Sequence, residues 1–395
     1  MMETRSTISE TVRCGLVLEP LDLLFFRDGR PFGASLRGES LPAALPQTLA
    51  GAIWTAILQS YGCDFHQLDR RVGLDGEPFP KAFAAMGLPA WIADVQSRGP
   101  WFARATLDGR TDTTPEVLFP MPSSLHLPKK TKTDQLIRLT PLPPTETLPG
   151  WDLTRTIHEP SLRPLWHRAN VATEPARGFL TPEGMKRFLA GGEISDDMCV
   201  GADAVYEFDH RTGIGIAPRT MAAEESLIYT ASFLSLRTEP ANDRHVVLYC
   251  EVVLPEAAPS TALEGIRTLA LGGEGRRVAV RRLHRPVDFP GPNKSSDNSV
   301  VVLTTPCPCE VPWKPAALRD RVVSASVAGA VPVSGWDMAR RGPKPSRFAV
   351  PAGSVYYLDG TITNLPTCLA DSEQDRRQGW GCYLTGVWSH DNNRQ

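Results

Sequence analysis

A chain of 395 residues with 42% hydrophobic and 22% charged residues has enough apolar material for two or more packed cores. Its formal net charge of −2 excludes a protein that coats nucleic acid indiscriminately, although local basic patches rather than the sum decide backbone binding. It has no apolar run long enough for a transmembrane helix and no secretory h-region near its start, and its eight cysteines are scattered; a protein of a reducing cytoplasm, without a membrane partner, is expected.

In chain order, a first strand is expected over Val12–Leu18. It leads through Phe25 and Phe26 into Arg27-Asp28-Gly29-Arg30-Pro31. Asp-Gly favours a turn because glycine accepts positive φ, and Pro31 holds Arg30 out of the helical region. Such a turn carries the guanidiniums of Arg27 and Arg30 on a stiff stalk, a geometry suited to phosphate. A helix is expected over Pro46–Tyr61, with Leu49, Ile53, Ile57 and Tyr61 on one face. From about Arg98 to Glu183 the chain is rich in Pro, Thr and charge and reads as a long irregular insertion, with Lys129-Lys130-Thr131-Lys132 at its tip. Thr181-Pro182-Glu183 starts a short helix through Met185, Phe188 and Leu189, stopped by Gly191-Gly192.

The second half is more regular. Strands are expected at Leu227–Leu236, Val246–Leu254, Arg277–Leu283, Val300–Thr304, Ser354–Leu358 and Cys382–Trp388. Thr261–Leu271 reads as a helix with Leu263, Ile266 and Leu269 inward. Strand, strand, helix, strand is a piece of the split βαβ pattern, and two α+β halves of similar size are expected.

Catalytic constellations are thin. The eight histidines are dispersed, His158 and His167 being the closest pair, and there is neither an H-E-x-x-H motif nor a phosphate loop. Gly291-Pro-Asn-Lys294-Ser295 lacks the second glycine of such a loop, Asp196-Asp197 reads as a solvated acidic pair, and Cys307-Pro-Cys309 lacks a second pair at zinc spacing. No cofactor or metal is expected.

Glycine turns beside arginine carry the stronger signal: Arg211-Thr-Gly213-Ile-Gly215, Leu271-Gly-Gly273-Glu-Gly275-Arg276, and Arg376-Arg377-Gln378-Gly379-Trp380-Gly381. Glycine lets a backbone approach a partner, consecutive N–H groups can cradle an anion, and arginine adds a bidentate grip. Three basic clusters lie in the C-terminal half: Arg276, Arg277, Arg281, Arg282 and Arg285; Arg340, Arg341, Lys344 and Arg347; and Arg376 with Arg377. Unstacked bases need π faces, which Trp380 and Trp336 offer by position, with core packing as the competing reading for Trp380 and the stronger one for Phe25 and Phe26.

Several blocks recur together in one known family: Pro20-Leu-Asp-Leu-Leu-Phe-Phe-Arg-Asp-Gly-Arg-Pro-Phe32, Gln47-Thr-Leu-Ala-Gly-Ala52, the Arg211–Gly215 and Leu271–Arg276 turns, Ser334-Gly-Trp-Asp337, Pro343-Lys-Pro345, Val350-Pro-Ala-Gly-Ser-Val-Tyr356 and Gly379-Trp-Gly381. In order and spanning most of the chain, they resemble the third-subunit family of the Cmr complex, the type III-B CRISPR effector, in the RAMP superfamily. The resemblance implies an α+β fold of two ferredoxin-like (RRM-like) RAMP modules packed together with a long irregular insertion. The expected division is an N-terminal module over 1–205, with its insertion at about 98–183, and a C-terminal module over 206–395. It implies a non-catalytic subunit that binds the 5′ tag of the CRISPR RNA and docks the large polymerase-palm subunit to the backbone subunits, meeting target RNA only indirectly. Target cleavage belongs to the backbone subunits and palm chemistry to the large one.

From their adjacency to the glycine turns, the expected RNA-binding residues are Arg27, Gly29, Arg30, Arg211, Gly213, Gly215, Gly273, Gly275, Arg276, Lys344, Arg347, Arg376, Arg377, Gly379, Trp380 and Gly381, with Asp22 and Asp28 bracing the arginines. The rival enzymatic reading is a RAMP-type endoribonuclease that processes precursor CRISPR RNA without metal, for which His210 is the candidate general base. A third is a structural wedge between large subunit and backbone with little RNA contact.

Overall fold

The computed structural model describes residues 11–27, 41, 43–106, 113–129, 136–146, 148, 162–168, 171–216, 219–239, 243–291, 298–337, 342–362 and 364–390. Its principal elements are β1 (Val12–Pro20), α1 (Pro46–Ser60), β2 (Gln96–Thr106), α2 (Pro182–Leu189), β3 (Tyr206–Ile216), β4 (Ala223–Leu236), β5 (Arg244–Leu254), β6 (Arg277–Arg282), β7 (Asn298–Leu303), β8 (Val322–Ser326), β9 (Val355–Asp359) and β10 (Tyr383–Val387).

The four long strands of the first sheet lie side by side as β6-β1-β5-β2, flanked by Thr268–Ala270 at one edge and Glu116–Val117 at the other. Every neighbouring pair is antiparallel. Counted in chain order these strands stand 4-1-3-2. The second sheet, β8-β9-β7-β10, has the same arrangement read from its other edge, again antiparallel throughout.

Alternation along the strands builds three apolar layers. Leu16 and Leu18 of β1 and Val246, Leu248, Cys250 and Val252 of β5 face α1, whose Leu49, Ile53 and Ile57 recur every four residues. Val17, Val247 and Tyr249 point the other way, into a core shared with Val300 and Val302 of β7 and Val355 and Tyr357 of β9. Val301, Leu303, Tyr356 and Leu358 face a third core that holds Trp380. Each such side chain stabilises by roughly 1.5–3 kcal/mol when buried, and a one-residue slip would turn the whole set to the wrong face, so the pattern fixes the register. Both faces of each of these two sheets are covered, so among the described residues neither offers an open platform for bases.

Three expectations are corrected. The boundary at 205/206 fails because β5 and β6 lie beside β1 in the first sheet; β5 is its central strand, paired with both β1 and β2. The first sheet therefore needs residues on both sides of that boundary, and β3 and β4 form a two-stranded ribbon on the excursion between β2 and β5. The insertion does not begin at Arg98, which lies in the 11-residue strand β2. Gly99-Pro100 disguised this strand; the pairing with β5 shifts register between Tyr249 and Glu251, and a proline without an N–H is tolerated at such a bulge. From Thr113 onward the described part of the insertion does consist of short strands, until α2 lays Leu189 against β10, where a Cβ on Gly386 would stand 2.3 Å from the Leu189 carbonyl oxygen. The helix expected over Thr261–Leu271 is absent: turns run through Glu264, Gly265 takes φ +84°, and Thr268–Ala270 pairs with β6. Leu263 and Leu269 are buried all the same, because the apolar spacing is met by turns and a strand.

Candidate nucleic-acid interface

Three of the arginine-bearing segments meet in space. Leu24 forms an isolated bridge with Leu234 of β4, each N–H donating to the other's carbonyl at 2.8 and 2.7 Å. The next residue, Phe25, accepts a hydrogen bond from the Gly273 N–H at 2.9 Å. Glycine is required at this seat: Gly272 has φ +91°, and a Cβ there would lie 2.5 Å from the Phe25 carbonyl oxygen. The turn closes with Leu271 N–H donating to the Arg276 carbonyl at 2.9 Å, which aims Arg276 back over the junction.

The junction has an aromatic floor and a cationic lid. Phe25 and Phe233 pack with centroids 5.1 Å apart, both nearly buried. Above the Phe233 ring stand the guanidiniums of Arg276 at 4.8 Å and Arg211 at 5.1 Å. Arg276 donates to the Asp22 carboxylate, and Arg211 pairs with Asp209 at 2.8 Å. The Leu23 N–H first, then Arg276 and Arg211, hold the Asp22 carboxyl below its ordinary range. Arg211 is more than half exposed; Arg276 is mostly covered, and its Nε has no hydrogen-bond partner among the described residues. Beside Asp22 opens a groove of about 230 Å³, walled by residues 19–23 and 235–238 with His245 and Val246. Arg27 is exposed one residue beyond Phe26. Gly29, Arg30, Asp28, His158, Lys130, Lys132, Lys294, Ser295, Arg340 and Arg341 lie outside the described residues.

Gly213 and Gly215 lie further along the ribbon, Gly213 opposite Tyr229 and Gly215 at the register shift between Ile214 and Ile216. Gly275 has φ +65° and open space where a Cβ would project. Lys344 belongs to a small hairpin, where its N–H donates to the Gly335 carbonyl at 2.8 Å; Gln47 of α1 reaches the Ser334 carbonyl beside it. Trp336 on that hairpin is 59% exposed.

The remaining expected RNA ligands have partners within the fold, those of Arg377 lying at the surface. Trp380 is fully buried, with Arg347 5.5 Å above its ring, so it packs a core rather than offering a face to a base. Arg347 makes a two-pronged pair with the buried Asp375, both bonds 2.6 Å. Arg376 donates to the carbonyls of Ala370 and Asp371 at 2.9 and 2.8 Å. Arg377 bridges Glu373 and Asp94 at 2.9 and 3.1 Å. A Cβ on Gly379 would stand 2.7 Å from the Ser97 carbonyl oxygen, and one on Gly381 2.7 Å from the Ala370 nitrogen, so these glycines permit tight internal packing. His210 Nδ1 is 2.8 Å from Ser232 Oγ. Among the described residues no group of three or more His, Cys, Asp or Glu side chains could hold a metal, and no helix is long and apolar enough to cross a membrane. The sequence reading missed Phe233 and Asp209; the pairing of Leu24 with Leu234 that brings Phe233 beneath the arginines joins segments with no local signal of each other.

The chain is thus an antiparallel α+β protein with an arginine-lined junction, and the motif blocks follow one another in order along it. The model of the family described as CRISPR-associated protein (Cas_Cmr3) matches residues 16–388, and the chain belongs to that family, making it a type III-B effector subunit. Similar solved chains occur in the cryo-EM structure of the type III-B Cmr-beta bound to cognate target RNA (14% identity, TM-score 0.45) and in that of the same complex with cognate target RNA and AMPPnP in state 1 (14%, 0.44). Each match covers 87% of this chain and 86% of the other. No curated protein matches.

Proposed function

We propose that this subunit is a non-catalytic RNA-binding scaffold that takes the 5′ tag of the CRISPR RNA at the Phe25–Phe233 junction. The observation that carries the reading is the convergence of Asp22, Phe25, Arg211, Gly273 and Arg276 from three distant segments. Phosphates would be held by Arg211, Arg276 and Arg27, with Gly29 and Arg30, which lie outside the described residues, kept in the proposal on their sequence alone. Gly213, Gly215 and Gly275 would let the strand approach, and Lys344 with Trp336 would form a secondary contact. Arg347, Arg376, Arg377, Gly379, Trp380 and Gly381 support the fold behind it. Each 4-1-3-2 sheet is read as a ferredoxin-like, RRM-like module whose loops, not its covered sheet faces, meet RNA. The large polymerase-palm subunit and the backbone subunits are the proposed neighbours.

Photocrosslinking of a tag-bearing CRISPR RNA in the reconstituted complex tests this. Crosslinks to peptides containing Arg27, Arg211 or Arg276 are expected. Crosslinks confined to other subunits, with assembly intact, would replace the reading with that of a structural wedge.

A further inference from the structure

The seam where β2 meets the C-terminal segment holds buried ionisable groups that RNA binding does not use. Glu251 of β5 is completely buried, and two guanidiniums approach it. Arg13 takes both of its oxygens, at 2.6 and 3.2 Å, whereas Arg98 reaches only Oε2, at 3.4 Å. Tyr249 adds its hydroxyl to Oε1 at 3.3 Å. One carboxylate thus faces two cations, and the inner one, Arg98, has an Nε without a hydrogen-bond partner among the described residues. A buried charge left so poorly matched calls for a second anion.

Arg98 also faces a pair of thiols. Cys382 and Cys368 have their sulfurs 3.4 Å apart and are each 1% exposed. The Cys382 N–H is fixed on Thr305 Oγ1 at 2.8 Å, and the Gly379 turn that precedes it is seated on Ser97 and Arg98. We propose that Cys382 and Cys368 form an oxidisable dithiol in which Cys382, set beside Arg98, is the nucleophile and Cys368 the resolving thiol, with a small peroxide as the oxidant. The hydrogen bond from Cys368 first, and then Arg98 and the Gly99 N–H, draw the Cys382 thiol down against the opposing effect of burial. The other ionisable neighbours are Tyr383, Cys307 and Arg376 near Cys368, and Glu251 beyond Arg98.

The chemistry balances with one peroxide. The Cys382 thiolate attacks a peroxide oxygen, the O–O bond breaks, and the departing hydroxide takes a proton to become water, leaving a sulfenic acid. The Cys368 sulfur then displaces the sulfenic oxygen as a second water, and the S–S bond forms. Two thiols lose two electrons and two protons, and hydrogen peroxide becomes two waters. Near-complete burial restricts the oxidant to a molecule of that size.

The test uses the full-length protein, which contains eight cysteines. Hydrogen peroxide is added, and thiols are then counted under denaturing conditions and peptides mapped without reductant. The expected result is a loss of two thiols, a linked Cys368–Cys382 peptide pair, and recovery of both thiols with dithiothreitol. In Cys368→Ser, dimedone should label Cys382 after peroxide, because the sulfenic acid has lost its resolving partner. If Cys63, Cys199 and Cys309 oxidise in the wild-type chain while Cys368 and Cys382 stay reduced, the proposal is overturned; that mapping needs no variant to fold.

Discussion

Asp22 and Arg276, 254 residues apart in the chain, are joined by a direct side-chain hydrogen bond. That bond closes the turn after β1 onto the glycine loop before β6, and it sets the guanidinium over Phe233. The arginine is therefore presented by a fixed frame: Leu24 bridged to β4 on one side, the Phe25 carbonyl bound by Gly273 on the other. A presented, partly desolvated arginine loses less side-chain freedom on taking a phosphate than a mobile surface one.

Arg276→Ala and Arg211→Ala should each weaken tag binding, and more so at low salt. Removing one arginine–phosphate interaction with a single strand should lower the logarithmic salt slope by about 0.7. Fluorescence anisotropy with a labelled tag oligonucleotide across a salt series measures this. A uniform loss with an unchanged slope would mean that neither arginine touches a phosphate.

The Asp22 carboxyl gives a pH signature. The Leu23 N–H and the Arg276 guanidinium hold its carboxyl below the ordinary aspartate range, so its tie contributes fully above the unfolded value and is lost only as pH falls through the lower folded one. Between pH 5 and 8 the geometry of Arg276 should therefore be constant. An NMR titration should place the Asp22 midpoint below the ordinary aspartate value, and Arg276→Ala should move it upward. A midpoint unmoved by that substitution would contradict the pairing.

Much of the frame was legible because it is local. Val12–Leu18, Pro46–Tyr61, Thr181–Leu189 and the later strands announce themselves by periodicity, caps and glycine stops, and the structure has each within a few residues. The sheets' membership was not legible, since β5 pairs with β1 across more than two hundred residues and nothing in either strand names the other. Of the candidate site, the glycine loop and Arg211 were readable as turns rich in charge. What could not be read is which carboxylate each arginine takes: Asp375 sits two residues before Arg377 in one short helix, yet it pairs with Arg347 on a strand 28 residues away.

That pairing makes Arg347 and Trp380 stability residues. Trp380→Ala should cost about 3–5 kcal/mol, the range for emptying a core of a large aromatic. Arg347→Ala should cost about 2 kcal/mol, between an exposed pair and a fully buried one, because buried Asp375 would lose both of its hydrogen bonds from the guanidinium. Urea denaturation reads both. Tag affinity measured well below the denaturation midpoint should be unchanged; a selective loss of affinity at full stability would return these residues to the RNA site.

Two of the three glycines in the loop before β6 separate backbone need from side-chain space. Gly275 has φ +65° with nothing near its missing Cβ, so Gly275→Ala should cost about 1–2 kcal/mol from the left-handed backbone alone. Gly273 is different: a Cβ there would stand 2.9 Å from Phe25 Cδ1, and Phe25 is already packed against Phe233. Gly273→Ala should therefore push the Phe25 ring, disturb the floor beneath Arg211 and Arg276, and cost about 1–3 kcal/mol as overpacking does. The stability costs overlap, so the discriminating measurement is tag affinity under conditions where both variants are folded. Gly273→Ala should lose affinity several-fold more than Gly275→Ala, because only it moves the rings that seat the two arginines. Equal losses would show that the loop acts through its backbone N–H groups and not through the aromatic floor.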